Sequence, residues 1–220
     1  MIITIDGPAG TGKSTVAQAV AQELGFDFLD TGAMYRAIGL AALRRHANLD
    51  DPRELTYVAR LAKIEFDFAA RPPIVTLNGE PVGHLLRAGD ATRAASFVAV
   101  VPAVRELLVK QQQEIGAARP NLVTEGRDQG SVVFPQAELK FYLDATPVER
   151  ARRRANQLRA RGEMVDIGQL QTQIMDRDAR DAKRAVAPLA VPQGAEVIDT
   201  TEMSLEDVIG RIVGNARRRA

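Results

Sequence analysis

Apolar residues follow two patterns along this chain, and the two patterns alternate. Short continuous apolar runs rich in β-branched residues are typical of buried strands. They occur at residues 2–6, 26–29, 121–125, 139–144 and 196–199. Between them lie stretches with apolar residues three and four positions apart, as on one face of a helix. This alternation predicts an α/β fold with a five-stranded, parallel, doubly wound sheet and helices on both faces.

Helical spacing is found in six segments. The first covers residues 14–24, with Val16 and Val20 on one face and Gly25 placed to end the helix. The last covers residues 204–219, where Ser204 with an acidic residue three positions later favours an N-terminal cap. The other four helices are predicted over residues 34–45, 97–113, 149–161 and 167–184.

A β-rich segment interrupts this alternation near the middle of the chain. The stretches KIEFDF and RPPIVTLNGEPV have strand-like composition, and the Asn78-Gly79 pair is a strong hairpin signal. Such a segment inside an α/β pattern indicates a lobe inserted at about residues 58–100. The chain otherwise forms one domain over residues 1–220. A long surface hairpin without a binding role is the alternative interpretation.

The composition is that of an ordinary globular protein. Of 220 residues, 45% are hydrophobic and 26% charged, and the net charge of +1 argues against bulk binding to nucleic acid. Cysteine is absent and the two histidines, His46 and His84, are far apart, which argues against thiolate metal sites and histidine-based triads. With no signal-peptide pattern and no apolar run near the ~18 residues that span a bilayer, we expect a cytoplasmic protein.

Residues 7–14 match the phosphate-binding pattern G-x-x-x-x-G-K-[ST], with a strand predicted before them and a helix after them. Glycines allow backbone N–H groups to wrap around a phosphate, and the helix N-terminus adds its positive end. Lys13 would reach the β- and γ-phosphates, and Ser14 would ligate Mg²⁺. The sequence therefore predicts a nucleoside triphosphate site. Since no N-K-x-D motif is present and the chain is short, a small-molecule kinase is favoured over a GTPase switch or a motor.

Charged residues follow two of the predicted strands, at the end where doubly wound sheets bind ligands. Arg36 and Arg127 can each grip a phosphate in a bidentate fork. Positive charge there suits a phosphate acceptor, since two phosphates meet only with cations between them. Asp128 could accept a hydrogen bond from cytosine N4, or could cap a helix or pair with Arg127. Asp144 could be linked to Mg²⁺, but a turn is favoured.

An arginine-rich region at about residues 150–184 has the composition of a lid. In the helix predicted over residues 149–161, arginines greatly outnumber acids, which is unusual without anionic ligands. Residues 162–168 would form the lid tip, and closure of the region would exclude water from the phosphates. The arginines of this helix are Arg150, Arg152, Arg153, Arg154, Arg159 and Arg161.

Taken together, the motifs resemble those of bacterial cytidylate (CMP) kinases along the whole chain. The matching strings are ITIDGPAGTGKST, LDTGAMYR, AAS, VREL, TEGRDQGSVVFP, KFYLDA, ERARRR and RDARDAKRAVAPL. The strings GRD-x-G-x-VVFP and RD-x-RD-x-x-R-x-x-APL are specific to that family rather than to P-loop proteins in general. The resemblance implies phosphoryl transfer from ATP, with Mg²⁺, to CMP or dCMP, and an inserted β-rich lobe that binds the acceptor.

The resemblance also implies roles for individual residues. The ATP loop would comprise Gly7, Pro8, Ala9, Gly10, Thr11, Gly12, Lys13, Ser14 and Thr15. The acceptor would be held by Thr31, Arg36, Ser96, Arg105, Arg127, Asp128, Arg177, Asp181 and Arg184. Catalysis would depend on Lys13, Arg127 and Arg184. The lid contacts would come from Arg150, Arg153, Arg154 and Arg159. Thr31 stands where the family often has serine, a change that keeps the hydroxyl.

Two other functions fit part of the pattern. One is a kinase for another acceptor, such as UMP, AMP or an alcohol like shikimate. An alcohol would need a general base, for which Asp30 is available, whereas the paired arginines favour a phosphate acceptor. The other is a regulatory P-loop module that hydrolyses ATP slowly and needs no acceptor pocket. We expect a monomer that binds small molecules, because nothing in the sequence demands an oligomer.

Overall fold

A computed structural model describes residues 1–160, 162–184 and 186–219. The strands in chain order are β1 (Ile2–Asp6), β2 (Asp27–Asp30), β3 (Ile64–Asp67), β4 (Ile74–Leu77), β5 (Glu80–Pro81), β6 (Leu122–Glu125), β7 (Leu139–Asp144) and β8 (Glu196–Asp199). The α-helices are α1 (Lys13–Leu24), α2 (Thr31–Arg44), α3 (Pro52–Leu61), α4 (Gly89–Val98), α5 (Pro102–Ala118), α6 (Pro147–Arg159), α7 (Ile167–Ala182) and α8 (Leu205–Arg219). The predicted lid residue Arg161 lies outside the described residues.

The main sheet has five strands in the order β2-β6-β1-β7-β8. Pairing is parallel where β1 meets β7, with Ile3 opposite Leu139, and where β7 meets β8, with Phe141 opposite Glu196. Its strands are largely buried, as expected of a parallel sheet covered by helices. The predicted five-stranded parallel P-loop fold is confirmed.

The chain forms two compact units. Met1–Phe26 and Val123–Ala220 make up the first, and Asp27–Leu122 makes up the second. The β-rich segment predicted as a lobe forms a small antiparallel sheet, β3-β4-β5, within the second unit. Its role in binding the acceptor stays a prediction.

The hairpin predicted at Asn78-Gly79 is confirmed. These two residues join β4 to β5, where Leu77 pairs with Glu80. Both have positive φ, 52° and 84°, which is the backbone that a two-residue hairpin turn requires. On its other side, β4 pairs with β3, where Ile64 lies opposite Leu77. Leu77 next to the turn is therefore paired with both neighbouring strands.

The single helix predicted over residues 97–113 is wrong. The structure has two helices there, α4 and α5, and α5 begins at Pro102. Proline fits the first position of a helix but excludes the residue before it from helical backbone. Accordingly, Val101 is extended, with φ −81° and ψ 113°.

Helix α3 was not among the helices predicted from the spacing of apolar residues. Its start does carry a signal, because Pro52 occupies the first turn and the Asp51 carboxylate accepts a hydrogen bond from the Arg53 N–H at 2.7 Å. At the other end of the chain, the predicted cap of α8 is confirmed: Ser204 Oγ accepts from the Asp207 N–H at 3.1 Å. None of the described helices is long and apolar enough to cross a membrane.

Candidate active site

The predicted phosphate loop lies between the end of β1 and the start of α1. Gly7 follows the strand with φ 144°, and a Cβ on it would lie 2.0 Å from the carbonyl oxygen of Leu143 in β7. Only glycine fits so close to the neighbouring strand. Gly12 ends the loop in the left-handed region, directly before Lys13 opens the helix. The loop thus has the strand–loop–helix context that its sequence pattern requires.

Lys13 is buried within this loop. Its Nζ donates a hydrogen bond to the carbonyl oxygen of Pro8 at 2.6 Å. Burial, together with the nearby positive charges of Arg127 and Arg177, lowers the pKa of Lys13 to about 7. The phosphates of a nucleotide beside Lys13 would favour its charged form.

Ser14 opens α1 beside the buried carboxylate of Glu125. The Ser14 hydroxyl donates a hydrogen bond to Glu125 Oε1 at 2.6 Å, and Glu125 ends β6. Oxygen donors are the ligands that Mg²⁺ prefers, and one hydroxyl and one carboxylate beside a phosphate loop fit a Mg²⁺–nucleotide complex. Among residues 1–160, 162–184 and 186–219, no three His, Cys, Asp or Glu side chains gather as a metal-binding cluster. Glu125 lies in the string TEGRDQGSVVFP, but the sequence pattern did not predict a role for it.

Three predicted acceptor residues come together in the first unit: two arginines bind one carboxylate, that of Asp181. Asp181 accepts a hydrogen bond from Arg127 Nε at 3.0 Å and another from Arg184. Burial would raise the pKa of Asp181, but the charges of Arg127, Arg184 and Arg177 outweigh burial and lower it. Burial likewise opposes the charge of Arg127, but Asp181 and Glu125 outweigh it and raise the pKa of Arg127. The cluster is therefore fully ionised at neutral pH.

Asp128 is buried immediately after Arg127. It precedes a single turn of π-helix, Gln129–Val133, and its carbonyl oxygen accepts from the Val132 N–H at 2.9 Å. Asp144 caps its own strand end, because its Oδ1 accepts from the Ala145 N–H at 2.9 Å. This is a local contact at the end of β7, and the expectation of a turn rather than a Mg²⁺ ligand at Asp144 stays a prediction.

Arg150 is buried against the phosphate loop. Its Nη1 donates to the carbonyl oxygen of Ala9 at 3.0 Å and to Asp178, and its Nε donates to the carbonyl oxygen of Ala145 at 3.0 Å. Asp178 in turn accepts from the Ala9 N–H at 3.0 Å. A pair of side chains from α6 and α7 thus holds both polar groups of one loop residue. Sequence reasoning placed Arg150 in the lid, where its role stays a prediction, and did not single out Asp178.

The other candidate lid arginines differ in their surroundings. Arg153 donates to Glu149 at 2.7 Å and to Thr200 Oγ1 at 2.9 Å. The hydrogen bonds from Arg152 and Arg153 hold the pKa of Glu149 at about 2. Arg159 is exposed at the end of α6, and Arg154 is half-buried. Helices α6 and α7 are joined by a small apolar core of Ala151, Ala155, Leu170 and Ile174.

Two predicted acceptor residues lie at the start of α2 in the second unit. Thr31 is buried in the first turn of the helix. Arg36 donates to Asp30 at 2.8 Å, and Asp30 also accepts from the Ala33 N–H at 2.8 Å. Asp30, the residue available as a general base for an alcohol acceptor, therefore has two structural roles: it caps the helix and it binds Arg36.

Ser96 and Arg105 lie on α4 and α5 of the same unit. Arg105 is only 2% exposed, with its guanidinium 5.6 Å from the centre of the Tyr35 ring. Its Nη1 donates to the carbonyl oxygen of Ala99 at 3.3 Å, and Ser96 Oγ donates to that of Thr92 at 3.4 Å. Arg105 is thus fixed as a buried, planar donor, which is the type of group that recognises a base edge.

Comparison with known proteins places the chain in a family. The sequence model of cytidylate kinase matches residues 3–218. The chain belongs to the cytidylate kinase family. A cytidylate kinase of Solibacter usitatus is 43% identical over 221 residues, which cover 100% of this chain and 93% of that protein. One of Caldanaerobacter subterraneus subsp. tengcongensis is 44% identical over 216 residues, covering 98% and 94%.

Solved structures support the same fold. A shikimate kinase from Bacteroides thetaiotaomicron has a TM-score of 0.51 with this chain at 16% identity, covering 99% of this chain and 98% of that one. An uncharacterised protein from Eubacterium ventriosum has a TM-score of 0.53 at 12% identity, covering 99% and 98%. At such low identity these similarities concern the fold alone. Within the cytidylate kinase family, the specific substrate must be argued from sequence and site.

Proposed function

We propose that this member of the cytidylate kinase family transfers the γ-phosphoryl group of ATP to CMP and dCMP, producing CDP and dCDP. The observation that supports this most strongly is the family match over residues 3–218, joined to relatives named cytidylate kinase that are similar over nearly their whole length. The phosphate loop before α1 and the arginine cluster around Asp181 are the local features that such a reaction needs.

ATP binds in this proposal through residues 7–15, with Lys13 on the β- and γ-phosphates. Ser14 would help to hold Mg²⁺ beside the phosphates, and Glu125 orients the Ser14 hydroxyl through the 2.6 Å hydrogen bond. When bound, Mg²⁺ neutralises charge that develops on the transferring group. Burial is the main cause of the low pKa of Lys13, and Arg127 and Arg177 add repulsion that an anionic ligand would offset, which supports this assignment.

The acceptor is bound by its three chemical parts. Its phosphate is assigned to Arg36 and Arg127, which present planar donors. Its pentose is assigned to Arg177 and Asp181, with Arg184 completing that side of the pocket. Its cytosine is assigned to Ser96, Arg105 and Asp128, since a carboxylate suits the exocyclic amino group. The ionised Asp181 supports its part, because a carboxylate held by two arginines is a fixed hydrogen-bond acceptor.

The reaction needs no general base. The acceptor oxygen belongs to a phosphate that is ionised near neutral pH, and it forms the new P–O bond as the bond to the β-phosphate oxygen breaks. Catalysis is positioning together with charge neutralisation by Lys13, Arg127, Arg184 and the lid arginines. Closure of the region at about residues 150–184 would exclude water and so suppress ATP hydrolysis. We further propose that the enzyme acts in the cytoplasm as a monomer.

Release of ADP, measured with ATP, Mg²⁺ and CMP, dCMP, UMP, AMP or GMP in separate reactions, tests the proposal. Fast turnover with CMP and dCMP alone is expected. Preference for another monophosphate would support a kinase activity but contradict the assignment of Ser96, Arg105 and Asp128 to the base. Release of ADP without any dependence on acceptor would favour a regulatory module that hydrolyses ATP.

Replacing Arg127 tests the acceptor site directly. We expect Arg127→Ala to lower kcat/KM for CMP by about 100-fold or more, because a cation on the reacting phosphates is lost. ATP binding, measured by calorimetry, should persist. The matched control is Arg180→Ala, an exposed arginine of the neighbouring helix α7, which should leave both values unchanged. Unaltered CMP phosphorylation in Arg127→Ala would show that the acceptor site lies elsewhere.

A further inference from the structure

Asp6 is a fully buried carboxylate at the end of β1 that the proposed mechanism does not use. Its Oδ1 accepts a hydrogen bond from the Gln129 N–H at 2.8 Å, and its Oδ2 accepts one from the Gly130 N–H at 2.7 Å. Both oxygens are therefore committed to two consecutive backbone groups. These groups belong to a segment that is 123 and 124 positions away in sequence.

The segment that Asp6 binds, residues 126–130, is fastened on both sides of Arg127 and Asp128. Before them, the Gly126 N–H donates to the carbonyl oxygen of Ile5 at 3.1 Å. After them, besides the two bonds to Asp6, the Gln129 side-chain oxygen accepts from Thr124 Oγ1 at 2.9 Å. Strands β1 and β6 thus fix the turn from which the two side chains emerge.

The backbone of this turn approaches β1 too closely for an ordinary side chain. A Cβ on Gly130 would lie 2.7 Å from Thr4 Oγ1 and 3.1 Å from Pro192. The turn can therefore reach the Asp6 carboxylate only because residue 130 is glycine. Its position follows from two features together, a glycine that permits the approach and a carboxylate that holds it.

A carboxylate at this point is costly to the fold. Burial raises the pKa of Asp6 to about 6, and the nearby charge of Asp128 acts in the same direction, against the two backbone hydrogen bonds. At pH 7.5 Asp6 is still mostly ionised, so it offers two charged acceptors to the turn. An apolar residue would avoid the cost of burying charge but would leave two backbone N–H groups without an acceptor.

We propose that Asp6 is a positioning residue for the acceptor side of the reaction: it fixes the 126–130 turn and thereby sets the direction of Arg127 and Asp128. This inference rests on the proposed function, in which Arg127 binds the acceptor phosphate and Asp128 binds the base. Asp6 itself touches neither nucleotide. Its loss should therefore impair recognition of CMP more than binding of ATP.

The test is Asp6→Asn, studied in the full-length protein at pH 7.5. The amide keeps one oxygen acceptor but turns an NH₂ group towards the second backbone N–H, so one of the two bonds is lost. We expect KM for CMP to rise at least about tenfold, because that factor corresponds to the free energy of one charge-assisted hydrogen bond. KM for ATP should change much less, and the ratio of kcat/KM for CMP over UMP should fall. Calorimetry with CMP alone gives the same comparison without turnover.

Thr4→Val is the matched control. Thr4 lies in the same buried strand beside the same turn, but within the described part of the chain its hydroxyl has no hydrogen-bond partner. This variant should keep the wild-type KM values and base selectivity. If Asp6→Asn does not fold, Thr124→Val replaces it, because it removes a different fastening of the turn, the bond to Gln129. Its effect should be smaller and in the same direction.

The outcomes separate this inference from the proposed function. If the wild-type protein neither binds nor phosphorylates CMP, the proposed function fails and the inference fails with it. If the wild-type enzyme uses CMP but Asp6→Asn keeps the same KM and selectivity, the function stands and the inference is wrong. Equal increases of KM for ATP and CMP, with unchanged selectivity, would show a general structural role and also overturn it.

Discussion

Lys13 illustrates how a single residue is prepared for an anionic ligand. It is buried, its Nζ is held by the Pro8 carbonyl oxygen, and Arg127 and Arg177 add positive charge nearby. Burial is the main cause that disfavours the ammonium form, and the charges of Arg127 and Arg177 add to it, which explains a pKa of about 7. Polyphosphate placed beside the ammonium would offset the repulsion from the two arginines and would itself favour the charged form. The charge of this side chain should therefore depend on whether nucleotide is bound.

This dependence predicts proton uptake on ATP binding. At pH 8 the Lys13 amine is mostly neutral in the free protein, because its pKa of about 7 lies below that pH. Binding of Mg²⁺–ATP raises the pKa, so most of one proton should be taken up, and less at pH 6, where Lys13 is already charged. Calorimetric titrations in two buffers of different ionisation enthalpy measure the number. Identical binding enthalpies in the two buffers at pH 8 would contradict the prediction.

At the scale of elements, α6 and α7 meet the phosphate loop at one residue. Arg150 from α6 and Asp178 from α7 bind the carbonyl and the N–H of Ala9, and they also bind each other. Both side chains are largely buried, at 7% and 16% exposure. The loop conformation therefore depends on the helices that form the proposed lid, and a displacement of either helix changes the contacts of Ala9.

Removing Arg150 should destabilise this arrangement strongly. Arg150→Ala leaves Asp178 largely buried without its counter-ion, and breaking a buried pair costs about 3–5 kcal/mol. We expect a loss of that order in the free energy of unfolding, measured with urea, and weaker ATP binding. Arg152→Ala is the control, because that arginine lies on the exposed face of α6 and the loss of its surface pair with Glu149 should cost little stability. Equal stability losses in the two variants would contradict a stabilising role for the Arg150–Asp178 pair.

At the scale of the whole molecule, charges of both signs nearly cancel, with 29 basic and 28 acidic residues. At the basic end of α8, two arginines have side-chain partners, one acidic and one neutral. Arg217 pairs with Glu23 at 3.2 Å, and Arg218 donates to the side chain of Asn215 at 2.9 Å. A nearly neutral protein has little long-range attraction for polyanions.

Weak binding to nucleic acid is therefore expected. Fluorescence anisotropy with a single-stranded 20-nucleotide DNA at 150 mM KCl should show a Kd weaker than about 100 µM, the weak limit of non-specific binding. A lysine- and arginine-rich DNA-binding domain serves as the positive control. Saturable binding at low micromolar protein would show that the C-terminal arginines form a nucleic-acid site.

Local patterns in the sequence were sufficient for much of the fold. Continuous apolar runs marked the five strands of the main sheet, because such runs are buried on both faces. The phosphate loop and the Asn78-Gly79 turn were also evident, since their backbone conformations demand particular residues at fixed spacing. The boundary at Pro102 shows the limit of periodicity: the apolar spacing continued across it, whereas in the structure α4 ends at Val98 and α5 begins at Pro102.

Asp6, Glu125 and Asp178 depended on the tertiary structure. Each lies within a string that resembles the family, but the string does not indicate its partner, which lies 111 to 169 positions away in sequence. Parallel strands bring the ends of β1 and β6 to one place, and α7 brings Asp178 to the phosphate loop. The family and most of the elements could be predicted from the sequence, because they depend on short-range patterns, whereas α3 and the division between α4 and α5 could not. The fold alone decided which buried carboxylates hold the loop and the turn, because that depends on which distant backbone groups it brings within hydrogen-bond distance.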